Sequence, residues 1–259
     1  MNKPLTLEER KSIQLDMLKE IDAFCRKHEI KYSLAFGTLL GAIRHKGFIP
    51  WDDDVDIMMP LPDLLRFKKE FKSDNIEYYD VDNDKYHNFA FSLFKHKLTY
   101  SRAGLVYRGG GIGIDLYVCI GVPDDREGFI EKAKPLYNDR IKAIKNRIRA
   151  ISYLPIKTIP FFSSKQKKYR NYLFDNSVPY QKANYYYIIA GPLRDWRIMS
   201  YDYDLFDELI DVKFENIECL ITSHYDQFLT LRYGDYMTPP PIEQQRPAHG
   251  GKYYWKNKH

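Results

Sequence analysis

At 259 residues the chain is long enough to bury a sizeable core, as one large domain or two small ones. Its 44% apolar and 29% charged residues exclude a disordered or fibrous chain, and three scattered cysteines, Cys25, Cys119 and Cys219, exclude a disulfide framework or zinc ribbon and suit a reducing compartment. The net charge of +5 is unevenly placed: residues 132–170 carry +11, which leaves −6 for the rest.

The opening MNKPLTLEERKSIQ lacks the apolar stretch of a secretory leader, and no run of about 18 apolar residues follows. The expected location is therefore cytoplasmic. Thr6 and Glu9 have the T-x-x-E form of a capping box. Ile13, Met17, Ile21 and Phe24 recur at helical spacing, which predicts a helix ending near His28. Residues 32–36 read as a short buried strand. At Gly37-Thr38 a turn without a Cβ lets the backbone approach a phosphate. Residues 39–43 then predict one or two helical turns whose N-terminus suits an anion. Arg44, His45 and Lys46 form a basic corner, either a solvated loop or a place where Arg44 or Lys46 neutralises a pyrophosphate.

Next comes WDDDVDIMM, residues 51–59, with four aspartates among five residues. On an extended backbone Asp52, Asp54 and Asp56 share one face, while Val55 and Ile57 point into a core. Two such charges about 5 Å apart repel by about 3 kcal/mol at an effective dielectric near 20. A domain has only about 5–15 kcal/mol of stability in total. Either some of these acids stay protonated or a cation sits among them. A hard divalent ion fits oxygen ligands best, and Mg2+ binds through carboxylates and substrate phosphates. A lone D-x-D is more often an acidic surface turn, but the apolar VDIMM that follows is unlike a surface loop.

Leu64, Leu65, Phe67 and Phe71 predict a helix over 62–73. Residues 78–81 and 89–94 read as strands about a turn at Asn83-Asp84. The glycines 109–111 lead into IGIDLYVCIGV, where Ile112, Ile114, Leu116 and Val118 share one face and Gly113, Asp115 and Tyr117 the other. A single carboxylate inside an apolar strand is costly. It is either a partnered structural aspartate or a ligand of the same cation. Ile141, Ile144, Ile148 and Ile151 mark a basic amphipathic helix, followed by an apolar loop broken by Pro155 and Pro160. Residues 205–210 read as a short helix and 214–219 as a strand. A last helix over 224–233 ends at Gly234. The proline-rich tail, 238–247, is neither helix nor central strand.

The segment YSLAFGTLLGAIRHKGFIPWDDDVDIMM, residues 32–59, resembles the LicD family, which includes the fukutin-type transferases. GGIGIDLY, residues 110–117, resembles the segment that carries the family's third acid. YGDYMTPPP with Arg246 and His249 resembles its closing motif. The resemblance runs from about residue 12 to residue 250 and is weakest over about 125–200. It implies an α/β (α+β) fold like that of nucleotidyltransferases: a mixed sheet with flanking helices and a more helical C-terminal half. It implies Asp54, Asp56 and Asp115 as catalytic metal ligands, with Asp52 beside them, holding Mg2+, or Mn2+ in its place. Gly37, Thr38, Arg44, Lys46, Lys95, Arg246 and His249 would bind the nucleotide donor. Thr99 falls where the family carries a threonine.

The implied reaction moves phosphocholine from CDP-choline to a hydroxyl of a cell-surface glycan, such as teichoic acid, lipopolysaccharide or capsule, and releases CMP. Relatives use CDP-ribitol or CDP-glycerol instead, and a nucleotidyltransferase with another substrate is a further alternative. Choline would want an aromatic cage. Trp51, Tyr107, Tyr117, Tyr233 and Tyr236 lie nearest the motifs, but 22 tyrosines leave the choice open.

The expected organisation is a catalytic core over 1–125 and a basic helical insertion over 126–200. A C-terminal segment over 201–259, with helices and the proline-rich motif, would pack on the core. The insertion is either an ordinary surface helix or a contact with an anionic membrane face, where a lipid-linked acceptor would be met and Phe161-Phe162 would bury. No nucleic-acid motif accompanies the basic residues, so no nucleic-acid partner is expected.

Overall fold

The computed structural model describes residues 3–84, 92–101, 110–151, 162–190, 199–247 and 251–256, with the backbone alone for 140–151 and 162–164. Helix α1 (Leu7–Lys27) starts on the expected capping box. Thr6 Oγ1 accepts from the Glu9 amide at 3.2 Å, and Glu9 Oε2 accepts from the Thr6 amide at 2.7 Å. Its apolar stripe, Ile13, Met17, Leu18, Ile21 and Cys25, is buried.

Strand β1 (Ser33–Leu34) is shorter than expected because α2 (Phe36–His45) begins at once. Gly37 and Thr38 are therefore the first turn of a helix, not a free turn. The left-handed backbone falls on Phe36, with φ of 43°. A bulky side chain there is strained and needs packing to hold it. The Phe36 ring supplies that packing, 4.8 Å from the Tyr117 ring and 5.7 Å from that of Phe228.

Strand β2 (Asp56–Pro60) is buried throughout, and α3 (Leu61–Glu70) follows with Pro62 in its first turn, where a missing amide hydrogen costs nothing. Then come β3 (Ile76–Tyr79), β4 (Ser92–His96), β5 (Thr99–Ser101) and β6 (Gly113–Val122). Residues 89–91 of the expected second strand lie outside the described residues. Helices α4 (Arg126–Ile151) and α5 (Phe162–Asp175) pack on each other. Phe161, and the side chains of Phe162 and of the isoleucine stripe, also lie outside the described residues. Strands β7 (Tyr185–Ile189) and β8 (Ser200–Tyr201) lead to a hairpin of β9 (Leu209–Phe214) and β10 (Ile217–Thr222). Helix α6 (Tyr225–Tyr233) ends at Gly234, as its C-cap glycine predicts, and β11 (Tyr253–Trp255) pairs with β5.

The helix expected over 205–210 is instead a turn running into β9. Asp204 caps that turn, its Oδ1 accepting from the Phe206 amide at 2.8 Å. Ile210, Val212 and Phe214 alternate with Asp211 and Lys213, and this period of two prevails over the helical spacing of Leu205, Phe206, Leu209 and Ile210. The strand expected over 214–219 is split by a turn at Glu215, whose φ is 56°.

Strand β6 is the centre of a mixed seven-stranded sheet. It runs parallel to β2 along one edge, and along the other it pairs antiparallel with β4 and then β7. One apolar core extends from Ile13 in α1 to Leu229 in α6. All three cysteines are buried free thiols. Among the described residues no helix is long and apolar enough to cross a membrane.

Candidate active site

The parallel pairing of β2 with β6 sets Asp56 directly beside Asp115. Adjacent strands are about 4.8 Å apart. Three backbone ties fix this junction. The Asp115 amide donates to Val55 O at 2.9 Å, the Ala35 amide to Asp56 O at 3.0 Å, and the Asp56 amide to Thr38 Oγ1 at 2.8 Å. Thr38, expected to meet the nucleotide, thus spends its hydroxyl oxygen on the acidic strand. Tyr117, two residues after Asp115 on the same face of β6, has its hydroxyl 3.5 Å from Asp115 Oδ2 and in hydrogen-bonding reach of Asp56.

The acid run differs from the expected alternation. Only Asp56 lies in a strand; residues 52–55 are irregular. Asp53, expected to face away, converges with Asp52 and Asp54, so that one carboxylate oxygen of each lies within 4.8 Å of the others. The Asp53 amide donates to Asp52 Oδ1 at 3.2 Å, which curls the backbone. Asp52 in turn lies against the start of α2. A Cβ on Gly37 would meet its Oδ2 at 2.8 Å, so the helix N-terminus expected to hold a phosphate is faced by the chain's own carboxylate.

This crowding shifts the acids. Burial first, then the neighbouring Asp54, pushes the Asp52 carboxyl up to about 7. Asp56 is held well above the usual carboxylate range by complete burial, then by Asp54, Asp115 and Asp52. Its Oδ1 is buried with no hydrogen-bond partner. An orphaned carboxylate oxygen amid other acids, with no nitrogen or sulfur donor in the set, fits a hard divalent cation. Asp54, Asp56 and Asp115, with Asp52 beside them, could hold one.

A cavity of about 490 Å³ opens on Asp54, Asp115, Tyr117 and Lys95. Lys95 is largely buried, 4.1 Å from the centre of the Tyr79 ring and 3.9 Å from Asp84 Oδ2. Burial lowers its pKa. Arg44 turns toward the closing motif, its Nη1 donating to Tyr236 O at 2.7 Å. Lys46 is exposed at the end of α2, and Arg246 is exposed on the tail. His249 and Tyr107 lie outside the described residues. Thr99 is structural, its Oγ1 accepting from the Ile112 amide at 2.9 Å.

The residues that composition and spacing did not single out come from the chain's two ends. Arg10 and Gln14 of α1, and Tyr253 of β11, also line the cavity. Their only sequence signal is that Arg10, Lys11 and Gln14 flank the apolar stripe of an otherwise ordinary amphipathic helix.

Paired acids thus stand at the head of a mixed sheet, beside a cavity. Residues 29–161 match the family described as LicD/FKTN/FKRP, nucleotidyltransferase domain. The chain is similar to the lipopolysaccharide cholinephosphotransferase LicD of Haemophilus influenzae, with 30% identity over 259 aligned residues, 95% of this chain and 97% of that protein. Shorter stretches resemble two uncharacterized rickettsial proteins. One, from Rickettsia typhi, is 41% identical over 64 residues, which is 24% of this chain and 21% of the relative. The other, from Rickettsia prowazekii, is 47% identical over 49 residues, 18% of each. The chain belongs to the LicD family.

Proposed function

We propose that the chain is a metal-dependent phosphotransferase that moves phosphocholine from CDP-choline to a hydroxyl of a cell-surface glycan, lipopolysaccharide first among them, and releases CMP. The observation that carries the chemistry is the buried Asp56 carboxylate beside Asp115, whose Oδ1 has no hydrogen-bond partner. The transferred group and the acceptor are supported by the similarity, over 95% of the chain, to a protein whose name gives cholinephosphate transfer to lipopolysaccharide, and the CDP-linked donor is what the family resemblance implies.

Asp54, Asp56 and Asp115 would hold Mg2+, with Asp52 in support. When bound, the ion offsets the charge of the diphosphate and of the leaving phosphate. Lys95, on the cavity wall, adds a positive charge for the same phosphates. The acceptor oxygen attacks the phosphorus that bears choline. The bond from that phosphorus to the bridging oxygen breaks, and its electron pair leaves with CMP. Asp115, on the cavity wall, takes the acceptor's proton. A lipid-linked acceptor would be met by the +11 segment, residues 132–170, at an anionic membrane face.

A donor screen tests the proposal. Purified chain with Mg2+ and a lipopolysaccharide acceptor is offered CDP-choline, CDP-ribitol, CDP-glycerol and CDP-ethanolamine, and CMP is measured. CDP-choline should be turned over fastest. Conversion of a nucleoside triphosphate to pyrophosphate instead would make the chain an ordinary nucleotidyltransferase.

A further inference from the structure

Three polar side chains of α1 reach down to the acid run or to Ile49 and Pro50 before it, and none belongs to the proposed ligand set. Lys11 Nζ donates to Ile49 O at 3.1 Å and Pro50 O at 3.0 Å. Gln14 Nε2 donates to Asp53 O at 3.3 Å and Gly113 O at 3.1 Å, which ties the acid loop to β6 two residues before Asp115. Arg10 Nη1 lies 3.2 Å from Asp53 Oδ2, with the Asp53 side chain fully buried and that of Arg10 11% exposed. The ring of Tyr253 backs the Arg10 guanidinium at 5.5 Å.

The pairing matters because the acids offer a cation two overlapping donor sets. One is the loop set, Asp52, Asp53 and Asp54, whose oxygens already lie within 4.8 Å of one another. The other is the strand set, Asp54, Asp56 and Asp115, of which Asp54 and Asp115 line the cavity. A cation that took Asp53 would have to displace a nearly buried guanidinium and leave it without its partner, which is costly.

We propose that Arg10 is a positioning residue: it holds Asp53 out of the ligand set and so directs the divalent cation to Asp54, Asp56 and Asp115. The role rests on the metal-dependent activity proposed above. It also gives α1 a task in the site, although α1 precedes the residues matched by the family domain.

The test uses the full chain and two readouts. Binding of Mn2+ alone is followed by electron paramagnetic resonance, and CMP release from CDP-choline is measured at saturating Mg2+. In Arg10→Ala, Asp53 no longer faces the guanidinium and should recruit the ion to the loop set. Mn2+ affinity should stay equal or rise while kcat falls by about tenfold or more. Adding Asp53→Asn should then return kcat to within about twofold of Asp53→Asn alone, because the two residues would act through one interaction. A parallel fall of Mn2+ affinity and kcat, with no rescue by Asp53→Asn, makes the pair merely structural and overturns the proposal. So does an Arg10→Ala that behaves as wild type. If Arg10→Ala melts below the assay temperature, Arg10→Gln keeps the stem of the side chain and carries the same comparison. A wild type that binds no Mn2+ and turns over without metal overturns the functional proposal as well. That result differs from a wild type that binds Mn2+ while Arg10→Ala leaves kcat unchanged.

Discussion

Asp56→Asn separates the cost of the site from its use. Asp56 is buried beside Asp115, and two ionised carboxylates about 5 Å apart repel by about 3 kcal/mol at an effective dielectric near 20. Burial and this repulsion raise its pKa far above that of an unfolded aspartate. A raised pKa means the native state binds the proton more tightly than the unfolded chain does. Stability is therefore greatest below the unfolded value, about 3.9, and declines as pH rises toward the folded value. Asparagine keeps the shape, removes the charge, and its amide can donate to the neighbouring acids. Without metal, Asp56→Asn should melt no lower than wild type at pH 7, and its margin should widen from pH 6 to pH 8. Metal reverses the order. Mg2+ at about 100 times its dissociation constant stabilises wild type by about 2.7 kcal/mol. For a chain of this size that is about 5–10 °C in Tm. The variant should show little of this shift and no CMP release. Thermal melts with and without Mg2+ at pH 6, 7 and 8 decide the matter. An equal Mg2+-induced shift in wild type and variant would refute Asp56 as a ligand. A metal-free variant that melts well below wild type would refute the claim that its charge is a burden to the fold.

Thr38→Val leaves the Asp56 amide without its buried acceptor, at a cost of about 1–3 kcal/mol, and should lower both Tm and kcat; an unchanged kcat would leave Thr38 with a purely structural part. Because the Asp52 carboxyl is pushed up to about 7, its proton competes with the cation, so the Mg2+ concentration for half-maximal rate should fall from pH 6 to pH 8. A pH-independent Mg2+ requirement would exclude Asp52 from the site. Asp82, hydrogen-bonded by Arg170, Lys68 and Lys167, is held far below the usual carboxylate range, so its contribution is present above the unfolded pKa and is lost as pH falls below it. Arg170→Ala should therefore shift acid unfolding to higher pH, read by circular dichroism, while leaving the Mg2+ requirement of turnover unchanged.

What the sequence could tell depended on how local each feature is. The capping box, the C-cap glycine and the alternating faces of β6 are set by neighbours in the chain, and all three appear as expected. Asp115 stood out in the sequence for the same reason: a single acid inside an otherwise apolar strand. The convergence of Asp52, Asp53 and Asp54 was not, because it depends on Arg10 and Gln14 more than thirty residues upstream. Gly37-Thr38 suggested a phosphate turn, but the structure uses Thr38 to hold Asp56 and leaves Gly37 bare so that Asp52 can approach. Phe36, not Gly37, takes the strained backbone, which no propensity would assign to phenylalanine; its contacts with Tyr117 and Phe228 come from β6 and α6. The β9–β10 hairpin was misjudged because Leu205, Phe206, Leu209 and Ile210 satisfy a helical spacing by accident.

The same long-range logic explains why the likeness to the Haemophilus protein spans 95% of the chain while the family domain occupies residues 29–161. The basic corner and the loop after it are gripped from the C-terminal side. The Glu215 amide donates to Lys46 O at 2.8 Å, and Glu215 Oε1 accepts from the Phe48 amide at 2.9 Å. The Thr222 amide donates to Ser33 Oγ at 3.0 Å, joining β10 to the strand that precedes α2. Arg44 reaches Tyr236 O in the closing motif. From the other side Lys11 holds Ile49 O and Pro50 O. Residues 44–53 are thus fixed by α1, by the hairpin and by the segment after α6. Repelling acids cannot organise themselves, and like charges without such restraints would swing apart into solvent. A loop that must present several carboxylates at fixed spacing needs anchors outside its own sequence, and in this chain they come from both ends.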